Sequence, residues 1–415
     1  MKGWLVGILL VASVAWGQGK GSKVDPLEQA ALEFALSADE LKGLEGKPAR
    51  LVLSTGELID DGLLKKFAAT KEGNRFRSLD VQLDGKATRK LTGDKLLEIE
   101  VEGRVYRLRG IASQKAYVLE NGEAKGEAIQ QRIEKQGDVW SPQSEELRGA
   151  SLASQKAFLD KVEAHFSKRK LTRQETEHFL LITDAPTDLW KGRLQLLEKT
   201  VEAVERTLRL RPGTPVWPGK VTLISFRAQA DFKELEEAVQ KTTGPMDETL
   251  VTLIYDDGDN AIVQGYEGED PDYLTYCYVQ YVARAYFDYY PTSFPLPSWI
   301  EAATADWIAG AVLPAEKRPG GCIAGGQVEA ANMVRSAGSL ERFFDQDAIY
   351  EEQWGIASVM SDLLVKISPD RYLLFVTSVK EGQPWEEALE RIYGMTRRDL
   401  TAAYGRAAGI PNLAK

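Results

Sequence analysis

The chain has 415 residues, 43% of them hydrophobic and 27% charged, with a formal charge of −10 and a pI near 5.1. Phosphate binding needs a basic surface, so this balance argues against nucleic acid as a partner class. A chain of this length and apolar content can bury the cores of two or three domains.

Lys2, the apolar run Trp4–Val14 and then Ala15-Trp16-Gly17 follow the order of a secretory signal. Residues 1–17 are therefore expected to be removed before Gln18, leaving a mature chain exported to the periplasm or beyond. No later run reaches the ~18 apolar residues of a membrane span, so the mature chain is expected to have no transmembrane segment.

Residues 18–45 read as an N-terminal helical segment, with Leu27, Ala30, Leu32, Phe34, Ala35 and Leu41 at helical spacing. Alternation takes over in residues 46–110. Arg50–Ile59 is a strand pair around Thr55-Gly56, and Phe76–Leu83 and Leu96–Arg109 continue the pattern, with turns at Asp84-Gly85 and Glu102-Gly103. Short strands at this spacing predict a small barrel. Residues 111–147 are polar, include Trp140-Ser-Pro-Gln143, and read as the barrel's tail and a linker.

A connecting helix is expected within 148–175. Residues 176–265 then alternate strand and helix: His178–Asp184, Leu189–Leu210, Lys220–Phe226 and Asp231–Lys241. A hairpin follows, Leu250–Tyr255 and Ala261–Gly265 flanking Asp256–Asn260. Residues 266–415 read almost entirely as helix. The fold class is α+β, a small β-barrel-like domain followed by a mixed sheet and a helical block.

Local chemistry assigns several residues. Asp270-Pro271 is the N-cap and first position of a helix. Ser298-Trp-Ile-Glu301 has the spacing of a capping box, which would turn Glu301 back onto its own helix. Asp256, Asp257, Asp259, Glu267, Glu269 and Asp270 form an acidic patch without calcium-loop spacing, as expected of a solvated hairpin tip. Cys277 and Cys322 are a candidate disulfide closing a loop of about 45 residues, worth about 3–4 kcal/mol; the alternative is two buried thiols. The only histidines are His165 and His178. No G-x-S-x-G elbow, P-loop or G-x-G-x-x-G accompanies them, and both read as structural.

The order of elements from residue 176 to 408, together with Pro297-Ser-Trp-Ile-Glu-Ala-Ala-Thr-Ala-Asp-Trp307, Gln353-Trp-Gly-Ile-Ala-Ser and Glu381-Gly-Gln-Pro-Trp-Glu-Glu-Ala-Leu, resembles the gluzincin metallopeptidases. The likeness is to the peptidase MA-like group of exported bacterial proteins, with a thermolysin-like sheet and helical block. The barrel is similar, less specifically, to small SH3-like barrels. The family's chemistry needs H-E-x-x-H on one helix and a glutamate ligand in W-L-x-E-G on the next. Aligned on Trp299, the first motif falls on Tyr278-Val279-Gln280-Tyr281-Val282, or one residue later on Val279, Gln280 and Ala283. The third ligand falls on Ala302. With two histidines at 165 and 178, no H-x-x-x-H exists.

The resemblance thus implies a degenerate peptidase with no zinc site and no cofactor, acting as a binding or scaffolding module. A residual groove marked by Tyr278, Tyr281, Glu301 and Asp306 would take a peptide, protein or glycan; the competing reading, favoured for the face of Tyr278 and Val282, is that without a metal it packs inward as core. The alternative is a hydrolase with rebuilt chemistry using Glu301 or Asp306 with Tyr278 or Tyr281. A third reading is a purely structural envelope protein.

Overall fold

A computed structural model describes residues 35–69, 75–83, 87–111, 116–119, 123–124, 136–208, 214–240, 251–255, 260–314 and 326–410, with a few single positions besides. The signal-like segment, Cys322 and the hairpin tip at 256–259 lie outside the described residues.

The first helix, α1 (Ala38–Gly43), starts from a capping box in which Ser37 and Glu40 serve each other's backbone. Eight strands follow: β1 (Pro48–Leu53), β2 (Leu58–Ala69), β3 (Phe76–Leu83), β4 (Ala87–Thr92), β5 (Leu96–Val101), β6 (Arg104–Ile111), β7 (Ala116–Leu119) and β8 (Glu123–Ala124). Pairing runs β2-β1-β5-β6-β7-β3, and β3 returns to β2, closing an antiparallel barrel of six strands with β4 as a flap on β3. Closure leaves those six strands no open edge. Leu51, Leu53, Leu64, Leu79, Val81 and Ile99 fill the interior, the alternate positions on each strand that the pleat turns inward. Strands β7 and β8 carry the barrel on to Ala124, within the polar stretch read as the barrel's tail and a linker.

The second unit begins with α2 (Glu145–His165) and a five-stranded sheet: β9 (Thr172–Glu175), β10 (Phe179–Thr183), β11 (Val221–Phe226), β12 (Val251–Tyr255) and β13 (Ala261–Tyr266). Its order is β12-β13-β11-β10-β9, with parallel pairs at β10–β11 and β11–β13 and antiparallel edges. Two helices connect these strands, α3 (Thr187–Leu208) and α4 (Gln229–Glu234), the latter running into a π-helical turn. Both faces are covered. Phe179 and Leu181 join the core that holds α3 and the C-terminal helices, while Leu180 and Ile182 face Leu159, Val162 and Phe232 of α2 and α4. That double burial explains why β10 reads as an unbroken apolar run.

The helical block comprises α5 (Pro271–Tyr289), α6 (Ser298–Val312), α7 (Gly326–Ala337), α8 (Glu341–Phe344), α9 (Glu351–Ile367), α10 (Pro369–Lys380), α11 (Trp385–Tyr393) and α12 (Arg397–Ala407). Trp299, buried at the start of α6, meets Phe344 and Trp385 edge to face at 5.7 and 5.3 Å, fastening α6 to α8 and α11. Among the described residues no helix is long and apolar enough to cross a membrane.

The barrel docks on α10 and α11. Arg391 reaches Glu98 of β5 at 2.5 Å, and Ser368 donates to the Thr55 carbonyl at 2.9 Å. Gly56 sits at φ +87° with the backbone of Asp370 and Arg371 against it, so only glycine fits that turn.

Candidate functional site

The helix α5 is organised from its first residue. Asp270 accepts from the amides of Asp272 and Tyr273 at 2.9 and 3.1 Å, and Pro271 occupies the first helical position. From Leu274 to Tyr289 the helix carries only two charges, Arg284 and Asp288, one turn apart.

Tyr276 donates to Asp306 at 2.5 Å, Gln280 donates to Tyr276 at 2.5 Å, and Ser358 of α9 donates to the other Asp306 oxygen at 2.7 Å. This network fixes which side of α5 faces α6. At 100° per residue, Val279 and Ala283 lie on the side of Tyr276 and Gln280, whereas Tyr278 and Val282 lie roughly opposite. Tyr278 accordingly points to the sheet. Its hydroxyl donates to the Ile224 carbonyl at 3.0 Å, its ring meets Trp190 at 5.1 Å, and burial raises its phenol far above the usual range. It does not line a groove.

The later register is therefore the one that faces α6, with Ala302 one turn before Asp306. Val279, Ala283 and Ala302 are all buried. Hydrocarbon side chains have no lone pair for a metal, and in this register the family's glutamate base is Gln280, an amide that cannot take a proton at neutral pH. The donor set does not fit zinc. Among the described residues, no group of three or more His, Cys, Asp or Glu is placed to hold a metal. In the acidic patch, Glu267 is held by Arg193 at 2.5 and 3.0 Å and Asp270 caps α5. Cys277 is buried on α5.

Glu301 corrects the sequence reading. The residue preceding α6 is Pro297, which has no side-chain acceptor, and Ser298 instead donates to the Gln346 carbonyl at 2.9 Å. Freed from a capping box, Glu301 turns to α5 and binds Arg284 Nε at 2.5 Å, each side chain about one-fifth exposed. A charge-assisted bond to a desolvated guanidinium, about 1.5–3 kcal/mol, outweighs a neutral cap of about 1 kcal/mol. The Arg284 guanidinium also lies 5.2 Å from the centroid of Tyr281, which is half-buried.

One turn further along, Asp288 accepts from Tyr255 of the edge strand β12 at 2.7 Å. Burial, then the charge of Glu301, pushes its carboxyl up to about 6. Behind it, buried Lys380 donates to the Phe294 carbonyl at 2.6 Å and the Asp288 carbonyl at 3.4 Å, and burial lowers its ammonium to about 8.

Tyr255 and Asp288 open on a cleft of about 560 Å³ that Asp138, Trp140, Tyr289 and Ser293 also line. One wall is the segment read as linker. Residues 138–140 run antiparallel to 291–293, with Ser293 N donating to Asp138 O at 2.9 Å and Trp140 N to Pro291 O at 3.1 Å. Gly137 permits that approach, since a Cβ there would stand 2.6 Å from the Phe294 amide. Trp140 is anchored by its indole N–H on the Val216 carbonyl at 2.9 Å.

Of the residues marked in the sequence, the structure brings Tyr281 and Glu301 together around Arg284. It sets Asp306 in a separate polar network and buries Tyr278. The histidines lie apart: His178 is held by Glu198 at 2.6 Å at the start of β10, and His165 by Glu234 at 2.8 Å on α2. Asp288, Tyr255 and Trp140 are the residues sequence reasoning missed. Charges at 284 and 288 in an otherwise apolar helix were a usable signal, because buried helices carry charge only where it has a partner or a task. No known protein family, curated protein or solved structure matches the chain.

Proposed function

We propose that the chain is a gluzincin-like protein that lacks zinc chemistry and works, after export, as a binding module whose ligand enters the cleft between β12 and the end of α5. What supports this reading is that the positions aligned with the family's metal ligands hold Val279, Ala283 and Ala302, packed as core, while a cleft opens at the end of the same helix α5. Apolar side chains at all three positions remove the Lewis acid, and Gln280 removes the base, yet the helix pair that would carry them keeps its packing. The barrel provides a second surface, joined to α10 and α11 through Ser368 and Arg391.

The test is metal analysis of the protein purified without chelator, with a broad peptide-cleavage screen. Less than 0.1 equivalent of zinc and no turnover are expected. Stoichiometric zinc with turnover that chelation abolishes sinks the reading.

A second reading, an enzyme with rebuilt acid–base chemistry, gains one observation. A tyrosine and a carboxylate of raised pKa, Tyr255 and Asp288, share a cavity. The pair differs from the one marked in the sequence, because Arg284 neutralises Glu301 and two hydroxyls occupy Asp306. Hydrolysis of ester, amide or glycoside probes that disappears in Asp288→Asn would favour this reading over the binding module.

A further inference from the structure

We infer that the cleft at the end of α5 recognises a cation, the ammonium or guanidinium of a lysine or arginine side chain presented by a peptide segment. The inference rests on reading the cleft as a binding site and adds the class of ligand.

Charge is the first argument. Two carboxylates, Asp138 and Asp288, line the cleft, and none of the described lining residues is Lys or Arg. Among the described residues neither carboxylate has an ion-pair partner; Asp288 receives only the Tyr255 hydroxyl. The neighbouring cations are engaged elsewhere, Arg284 by Glu301 and Lys380 by backbone carbonyls. The lining therefore carries two carboxylates and no cation of its own, with Lys380 and Arg284 set behind it, so it suits a cation better than an anion.

The aromatic lining is the second. Trp217 stacks on Tyr255 at 6.3 Å between centroids and lies tilted against Tyr289 at 4.6 Å, and Trp140 meets Tyr290 edge to face at 5.2 Å. These rings are held before any ligand arrives. Fixed aromatic faces beside a carboxylate are the arrangement that attracts an alkylammonium or guanidinium, the ring quadrupole and the charge acting together. The volume accommodates one such side chain with its flanking backbone.

Asp288 is faced by Tyr255 from β12, Glu301 from α6, Arg284 on its own helix and Lys380 from α10. Burial and Glu301 make its charge costly at neutral pH, and an incoming cation relieves that cost. Binding should therefore weaken as pH falls through about 6, when the carboxyl takes a proton.

The experiment is calorimetric titration of the full chain with the pentapeptide acetyl-Ala-Ala-Lys-Ala-Ala-amide, its arginine and norleucine counterparts, and cellotetraose. Lysine and arginine peptides should bind at least about tenfold more tightly than the norleucine peptide, and about tenfold more weakly at pH 5 than at pH 7.5. Asp288→Asn, which keeps an acceptor for Tyr255, should remove the preference. Asp138→Asn, at an exposed position, should weaken it, and its effect stands even if the first variant folds poorly. Equal binding of lysine and norleucine peptides, no peptide binding up to millimolar concentration, or binding of cellotetraose alone overturns the inference. A zinc-free, inactive protein with any of those results keeps the binding-module reading while losing this ligand.

Discussion

Replacing Glu301 with alanine tests what joins α5 to α6. Its carboxylate is 2.5 Å from Arg284, and each side chain is about one-fifth exposed. Removing one member of a fully buried pair costs about 3–5 kcal/mol, because the other charge is left without a counter-ion. Partial exposure and the nearby Tyr281 ring reduce this to about 2–3 kcal/mol. The lost cap implied by the sequence alone would cost about 1 kcal/mol. In Arg284→Met/Glu301→Leu neither charge remains, and stability should return to within about 1 kcal/mol of wild type. Urea unfolding followed by circular dichroism of wild type, Arg284→Met, Glu301→Leu and the double variant closes the cycle, with Glu301→Ala measured beside it. Removing Glu301 also deletes one of the two causes that raise Asp288, so the Asp288 carboxyl should titrate lower in that variant, read by carbon-13 NMR. A cost below about 1 kcal/mol for Glu301→Ala, or single-variant costs that simply add in the double variant, would refute the pairing.

Three further outcomes are expected. The raised carboxyl of Asp288, about 6 against an ordinary value near 4, means the folded protein holds that proton more tightly than the unfolded chain. Stability is then lost as pH rises from about 4 through about 6, so Asp288→Asn should be more stable than wild type by about 1–3 kcal/mol at pH 7.5 and nearly equal to it at pH 4. Urea unfolding at the two pH values checks this, and a gap independent of pH contradicts it. Gly56→Ala would place a Cβ 2.5 Å from the backbone of Asp370 and Arg371 at a positive φ. It should cost about 2 kcal/mol or more and loosen the barrel from α10, seen as faster limited proteolysis; an unchanged rate counts against that docking. Tyr276→Phe leaves Asp306 with Ser358 alone and should cost about 1–3 kcal/mol in thermal or urea unfolding, whereas a neutral result would mean Asp306 is solvated.

Much of the architecture was legible because it is written in local pattern. The barrel strands β1, β2, β3, β5 and β6, the β12–β13 hairpin, the helices α3 and α5 and the Asp270 cap all follow from periodicities and residue preferences that act within about ten positions. The polar stretch before residue 147 was harder. Its strands β7 and β8 are only four and two residues long, too short to show alternation, and they are defined by pairing with β6.

By itself, then, the sequence determined the succession of elements and the α+β class. Tertiary structure alone decided which partner each polar side chain keeps. The Ser298–Glu301 spacing satisfies a capping box, but a buried Arg284 on the neighbouring helix, 17 residues back in the chain, competes for the carboxylate and wins. Trp140 became a cleft wall through contacts with Pro291 and Val216, far away along the chain. The physical reason is the same in both cases. A buried charge or indole is placed by the donor or acceptor that most reduces its desolvation cost, and folding chooses that partner from across the whole chain.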